Sequence, residues 1–481
     1  MLRSFKSTLS RSSILWLLLP IVACGSQEEG DAGRAGETCS LDGESSCDAG
    51  LSCDPRADGG GYVCGEALRV QGRVLDALSL AELAGARVVV LGADGSPVAD
   101  VAFTDDAGGY SAVVSAPRNA DGSVAASATW TLAVSAGGYQ PFPAGPRPAV
   151  PIAATQIGED GVIDAPNTEA ALLPLPHPEQ YAFEIRGTIS ADSPGGTLVV
   201  AEGGAAPAPY AMASRSGEFV IFNVPSGSYE LAGYKRGQQL ERSSVLVGDA
   251  SIGDVTLAAS EQPLGGVSGN VNIVNAPGGS LTSVVLVPES VFDAHLERGP
   301  VPFGLRAPGL PDAPSVSGAF AIEQVPRGRY VVLAAFENDA LVRDPDTSIG
   351  GTTIQTVAVE SSESVVMSQS FKITEHLAII GPGADTPERV TGPVTFAWSD
   401  DSSEDRYELE LYTALGDSIW EQRAVIAEHG GGTVELPYTG PALVAGMVYQ
   451  FRVTSFRDRS GESTAISKSE DLRGVFEYHP E

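Results

Sequence analysis

The chain writes one phrase twice. Ser216-Gly217-Glu218-Phe219, followed by Asn223-Val224-Pro225-Ser226-Gly227-Ser228-Tyr229, returns as Ser317-Gly318-Ala319-Phe320 and Gln324-Val325-Pro326-Arg327-Gly328-Arg329-Tyr330. Matched residues stand 101 apart, as Gly217 and Gly318 or Tyr229 and Tyr330 do. A fixed period of this kind marks an internal structural repeat. Apolar residues alternate before Val-Pro-x-Gly (Phe219, Ile221) and after it (Tyr229, Leu231), and its Pro and Gly suit a type I turn, so the spacing predicts a hairpin in each copy. Thr104-Asp105-Asp106-Ala107-Gly108-Gly109-Tyr110 keeps the Gly-x-aromatic step without Val-Pro-x-Gly. The chain therefore carries three related β-modules.

At 481 residues it is too long for one core. Its 56 Gly and 33 Pro are numerous, but with 43% hydrophobic and only 19% charged residues it reads as folded, turn-dense modules rather than disorder. The formal charge of −32 repels nucleic acid and anionic lipid, and excludes both as partners of the protein surface. Such an excess keeps a surface soluble; acidic loops that hold a divalent cation are the sharper alternative.

Arg3, Lys6 and Arg11 precede an apolar run, residues 14–22, that stops at Ala23-Cys24-Gly25. A basic flank and an apolar core too short to span a bilayer predict a secretory signal peptide, residues 1–23. Ile21-Val22-Ala23-Cys24 resembles the lipobox of bacterial lipoproteins. That resemblance implies that Cys24 becomes the first mature residue and carries the lipid that anchors the chain. With Gly25 rather than aspartate next to it, it implies delivery to the outer membrane, on its periplasmic or outer face.

Residues 24–38 read as a solvated tether, and residues 39–65 hold the remaining cysteines, Cys39, Cys47, Cys53 and Cys64. Four cysteines crowded together in an exported chain predict two disulfides stapling a knuckle too small for its own core. The 7, 5 and 10 residues between them do not supply the short pairs of a zinc site. Cys47-Asp48-Ala49-Gly50-Leu51-Ser52-Cys53 resembles the Cys-x-x-Gly-Leu-x-Cys turn of small secreted cysteine modules. Of three possible pairings, Cys39 with Cys53 and Cys47 with Cys64 is favoured, and the other two stay open.

Residues 66–176 form the first module. Gly72-Arg73-Val74, Gly85-Ala86-Arg87-Val88, Thr104 to Tyr110, and Leu132-Ala133-Val134 with Gly138-Tyr139 resemble the phrases of carboxypeptidase regulatory-like, transthyretin-type domains over residues 68–142. The resemblance implies an antiparallel β-sandwich and says little about activity. Proline-spaced residues 141–180 read as an extended connector with a last strand near Ala170 to Leu173. The second module, 181–260, and the third, 264–373, open on Gly187-Thr188-Ile189 and Gly269-Asn270-Val271, which align with Gly72-Arg73-Val74. The third has gained about 19 residues, in a loop spanning 288–316. A loop this long with Phe292, Phe303, Leu305 and Leu310 among prolines is expected to present a partner-binding surface.

Residues 374–481 change phrase. Phe396-Ala397-Trp398, Tyr407-Glu408-Leu409-Glu410-Leu411 and Tyr449-Gln450-Phe451-Arg452-Val453 resemble a fibronectin type III domain, with Trp398 as core tryptophan and Tyr449 as corner tyrosine. That implies a binding or spacer module. Asp400, Asp401, Glu404 and Asp405 fall in one of its loops, as a solvated acidic turn or, less simply, a calcium site.

The expected fold is therefore all-β: tandem antiparallel β-sandwich modules behind a small disulfide-rich knuckle, laid end to end with a reach of roughly 100 Å at ~3.3 Å per strand residue. No catalytic residue, metal ligand set or cofactor motif is read. The five histidines are dispersed without His-x-x-Glu, Gly-x-Ser-x-Gly is absent, and Gly416-Asp417-Ser418 and Gly381-Pro382-Gly383 sit as turn punctuation. The expected function is that of a non-enzymatic, lipid-anchored envelope protein displaying β-sandwiches for protein or glycan binding. The alternatives are a lipoprotein subunit of an envelope transport, secretion or motility complex, and a glycan hydrolase using paired carboxylates.

Overall fold

The computed structural model describes residues 33–41, 46–274, 281–335, 354–374, 376–400, 404–426 and 431–480. The predicted signal peptide and Cys24 lie outside them. The fold is all-β. Among the described residues the helical elements are four 3₁₀ turns, and no helix is long and apolar enough to cross a membrane.

The knuckle is a three-stranded sheet of Thr38–Cys39, Tyr62–Glu66 and Leu51–Pro55. Disulfides join Cys39 to Cys53 and Cys47 to Cys64. It begins earlier than composition suggests. The Gly33 amide donates to the Ser46 carbonyl and the Gly36 amide to the Cys64 carbonyl, so residues 33–38, expected as tether, belong to it.

Each of the next three modules is a two-sheet sandwich opened by a long strand: Leu68–Asp76, Phe183–Ser190 and Gly265–Val274. The opener pairs antiparallel with the strand of the Gly-x-aromatic step and parallel with the module's last strands. Thus the sandwiches are antiparallel except where the closing strands meet the opener, at two parallel pairs in the first module, one in the second and two in the third. The proline-spaced stretch after residue 141 is no mere connector, since Ile152–Ala153, Val162–Asp164 and Ala170–Leu172 complete the two sheets of the first module.

The repeat has a physical core. The opener glycines face the repeated aromatics across the sheet: Gly72 opposite Tyr110, Gly187 opposite Phe219, Gly269 opposite Phe320. A Cβ on Gly187 would stand 2.5 Å from the Phe219 ring and 2.2 Å from the Val255 carbonyl oxygen; on Gly269 it would stand 3.0 Å from the Phe320 ring. Glycine is needed there because ring and closing strand both lie over the opener.

Val-Pro-x-Gly does not turn a hairpin. Glu218–Val224 belongs to one sheet of the second module and Gly227–Tyr234 to the other; Ala319–Val325 and Gly328–Ala335 divide likewise in the third. The phrase is an arch carrying the chain from sheet to sheet. Alternation alone cannot distinguish the two, because both flanking strands present one face to the core in either case. The left-handed residue ahead of Val-Pro, Asn223 at φ 62° or Gln324 at φ 59°, turns the chain out of the sheet. The following tyrosine braces the arch: the Tyr229 hydroxyl donates to the Pro225 carbonyl at 2.9 Å and that of Tyr330 to Pro326 at 2.6 Å.

The C-terminal sandwich sets Ile379–Gly381, Thr395–Ser399 and Thr433–Pro437 against a six-stranded sheet. Trp398 and Tyr449 are buried, and the Tyr449 hydroxyl accepts from the Val444 amide at 2.7 Å. This module does not extend an end-to-end row. Ala77 and Leu173 of the first module share its core with Phe396, Trp398 and Phe451, so the chain closes back on itself.

Candidate functional site

The arch positions build the molecule. In each of the first three modules, the crossing between sheets docks on the preceding unit. The first module's crossing, residues 115–128, brings Arg118 into the knuckle, where its guanidinium donates to Asp54 at 2.7 and 2.9 Å. In the second, the Asn223 side chain accepts from the Gly138 amide (2.6 Å) and donates to the Tyr139 carbonyl (2.7 Å) of the first. In the third, the Gln324 carbonyl accepts from the Gly237 amide of the second, and the Arg327 amide donates to the Gln239 side chain, both at 2.8 Å.

The long loop of the third module is the second connector. Leu305 is 0% exposed, deep in the core shared by the second and third modules, and Phe292 packs against that core. The Phe303 carbonyl accepts from the Arg236 amide, and its ring lies 5.3 Å from Lys235 Nζ. Leu310, 38% exposed, stands 3.8 Å from where a Cβ on Gly95 would be. The expected partner surface is thus corrected: Arg306–Ala307 of the loop pairs with Val284 and Val285 of its own module, Leu305 is buried, and the half-buried Phe292 and Phe303 pack against the chain's own modules. Farther along, Glu297 accepts from Arg452 (3.1 Å) and Lys468 (2.7 Å) of the C-terminal module. Arg298 pairs with Asp471 there at 2.9 Å and donates to the Gly145 carbonyl of the first at 2.7 Å.

The acidic turn of the C-terminal module is not simply solvated. Asp400 and Glu404 are buried, and both accept the Tyr407 hydroxyl, Asp400 at 2.8 Å. Asp401 lies outside the described residues, and Asp405 accepts from the Asp458 amide.

What the repeating interface leaves concave is a cleft of about 520 Å³ between the second and third modules. Glu202, at the end of Leu198–Glu202, projects into it because that strand is buried on both faces: Val199 and Ala201 face the second module's own core, Leu198 and Val200 the third module. Tyr234 reaches the same point from the neighbouring strand and donates to Glu202 Oε1 at 2.5 Å, and Ser290 from the long loop donates to that oxygen at 2.9 Å. Arg242 takes Glu202 Oε2 at 2.6 Å and Glu230 at 2.9 Å. Burial pulls Arg242 down, but Tyr234, Glu202 and Glu230 outweigh it and hold the guanidinium above its ordinary range. Burial, reinforced by Glu202, raises the Tyr234 hydroxyl far above a phenol's usual value.

The third module contributes Arg327, Gly328 and Arg329 from its arch. Arg329 pairs with Glu289, which raises its pKa. A Cβ on Gly328 would meet the Tyr234 ring at 2.8 Å, so glycine lets the arch seat on the second module. Sequence reasoning missed this cleft. Its signal was the continuous apolar runs Leu198 to Ala201 and Val284 to Val287, which mark strands buried on both faces, together with Arg327 and Arg329 standing where the second module has Ser226 and Ser228.

No protein-family model and no curated protein matches the sequence. Among solved structures the chain is similar to the Bacillus anthracis TIE protein at 10% identity, over 82% of this chain and 66% of that one, with a TM-score of 0.14. It is similar to the minor pilin GBS52 of Streptococcus agalactiae at 12% identity, over 43% of this chain and 100% of that one, with a TM-score of 0.18. Two B repeat units of the collagen-binding protein of Staphylococcus aureus align at 10% identity over 86% and 99%, with a TM-score of 0.19. At such scores the likeness carries no argument about function.

Proposed function

We propose that this chain is an exported, lipid-anchored envelope protein that binds a protein or glycan without transforming it. The observation that carries the reading is the state of two acids in its inter-module cleft, Glu202 and Glu289. Both oxygens of Glu202 are occupied, by Tyr234 and Ser290 on one side and Arg242 on the other, and Glu289 is held by Arg329. Carboxylates so engaged serve to shape a site rather than to deliver a proton or attack a bond. The resemblance of residues 21–24 to a lipobox supplies the address, an outer-membrane anchor through Cys24. The likeness of the modules to carboxypeptidase regulatory-like and fibronectin type III domains supports a display scaffold.

The test has two arms. Cys24→Ser should remain unprocessed or leave the membrane fraction; acylated, membrane-bound protein from that variant would sink the anchor. A glycan array, a pull-down from solubilised envelopes and a hydrolase panel should yield a bound ligand and no turnover. Turnover of a glycan would reverse the reading.

A further inference from the structure

Arg327 is the anomaly of the cleft. Its Nε is buried without a hydrogen-bond partner, and its guanidinium makes no ion pair among the described residues. Donors in this state are rare in folded proteins, because a buried N–H that has given up water without replacing it costs on the order of 1–3 kcal/mol. The neighbouring acids do not answer it, since Glu202 and Glu289 are engaged elsewhere. Glu360, the remaining acid of the cleft, is exposed and forms no bond with it. Nor does the arch require arginine: at the same position the second module turns on Ser226. The Arg327 backbone is fixed by the hydrogen bond its amide donates to the Gln239 side chain of the second module.

We propose that Arg327 anchors the carboxylate of an acidic saccharide in this cleft, an inference that rests on the binding reading above. The two Nη groups of Arg327 offer parallel donors that fit a carboxylate in bidentate fashion, while the buried Nε faces away from solvent. The cleft volume lies in the ordinary range for small-ligand sites. Its apolar lining includes Ala358 and Val359. The other groups are planar or hydroxyl-bearing (Glu202, Arg242, Ser290, Arg329), which suits the hydroxyls of a sugar ring. The net charge of −32 disfavours long polyanions, so recognition is local: one carboxylate against one guanidinium.

Calorimetric titration of the full chain in detergent with trigalacturonate, with the neutral galactose trisaccharide and with an acidic tripeptide tests this. Trigalacturonate should bind, the neutral sugar at least about tenfold more weakly, and Arg327→Ser should lose about tenfold or more. That variant carries the residue of the second module's arch and removes the unanswered donor, so circular dichroism should stay unchanged and the melting temperature should not fall. Glu360→Gln should tighten binding by removing a competing charge. Equal binding by wild type and Arg327→Ser, or preference for the tripeptide, overturns the inference. If neutral glycans bind both forms alike, the inference falls and the binding reading stands; if no glycan or protein binds, both fall.

Discussion

Asp54 of the knuckle and Arg118 of the first module form an ion pair at 2.7 Å, with each side chain 2% exposed. The guanidinium also donates to the Glu66 and Gly122 carbonyls and to Ser52, while Asp54 accepts from Ser52 and Ser115. Breaking such a pair from one side strands a buried charge, at about 3–5 kcal/mol. Arg118→Met should therefore destabilise knuckle and first module together by about that much in denaturant unfolding. Asp54→Leu combined with Arg118→Met should recover most of the loss. A double variant as weak as the single one would refute the account.

The opener glycines give a sharper test of the repeat. Gly187→Ala places a methyl 2.2 Å from the Val255 oxygen, and overpacking of this kind costs about 1–3 kcal/mol or more. Gly253→Ala, in Ile252–Ala258 of the same sheet, meets nothing within 4 Å and should change stability by no more than about 0.5 kcal/mol. Similar melting temperatures for the two variants would show that the close approach does not govern the opener.

Glu297 should act as the latch of the closed arrangement. Glu297→Ala removes one acceptor of Arg452, which is 3% exposed and keeps the Ser469 carbonyl, and one of Lys468. We expect about 3 kcal/mol of lost stability in the C-terminal module and its unfolding as a separate, earlier transition. Shortening the loop at 288–316 should go further and enlarge the radius of gyration in solution scattering. An unchanged radius would mean that the core shared by Ala77, Leu173 and the C-terminal module suffices alone.

At high pH the buried tyrosines decide. Burial raises Tyr110, Tyr234 and Tyr330 well above the ordinary phenol value of 10.0. The unfolded chain then loses those protons first, so their stabilisation is complete below pH 10 and is lost as pH climbs toward the folded values. Arg87 and Arg147 act oppositely. Burial pulls each down to about 10, so the cost of keeping them charged is relieved above that pH. Burial raises Tyr210 and Tyr412 as well, so the tyrosines outnumber the arginines and stability falls as pH climbs. Phenolate absorbance should rise together with loss of circular dichroism above pH 10. Titration of these buried tyrosines well before unfolding would contradict it.

The openers and aromatics were legible in the sequence because the repeat printed them three times, and their register follows from the alternation. The arch was not, since Phe219, Ile221, Tyr229 and Leu231 alternate identically whether their strands pair with each other or divide between sheets. The interfaces were hidden for another reason. Arg298 and Gln140 bind the carbonyls of Gly145 and Ala414, groups that any residue could supply. Arg327 was visible all along as the mismatch with Ser226, but a difference between repeats says nothing until the fold shows what surrounds it.

The return of the C-terminal module onto the first alters how the molecule bears load. Were the modules strung in a row, tension between the N-terminal segment and the cleft would run through one series of junctions, and the weakest would set the breaking force. Here the third module reaches the first by two routes, one through the second module and its arches, the other through Glu297, Arg298 and the C-terminal sandwich, with Arg298 also bonded directly to the first module's Gly145 carbonyl. Pull is divided between parallel struts. Failure of one junction leaves the other under strain but intact, so the cleft stays coupled to the knuckle until both give way.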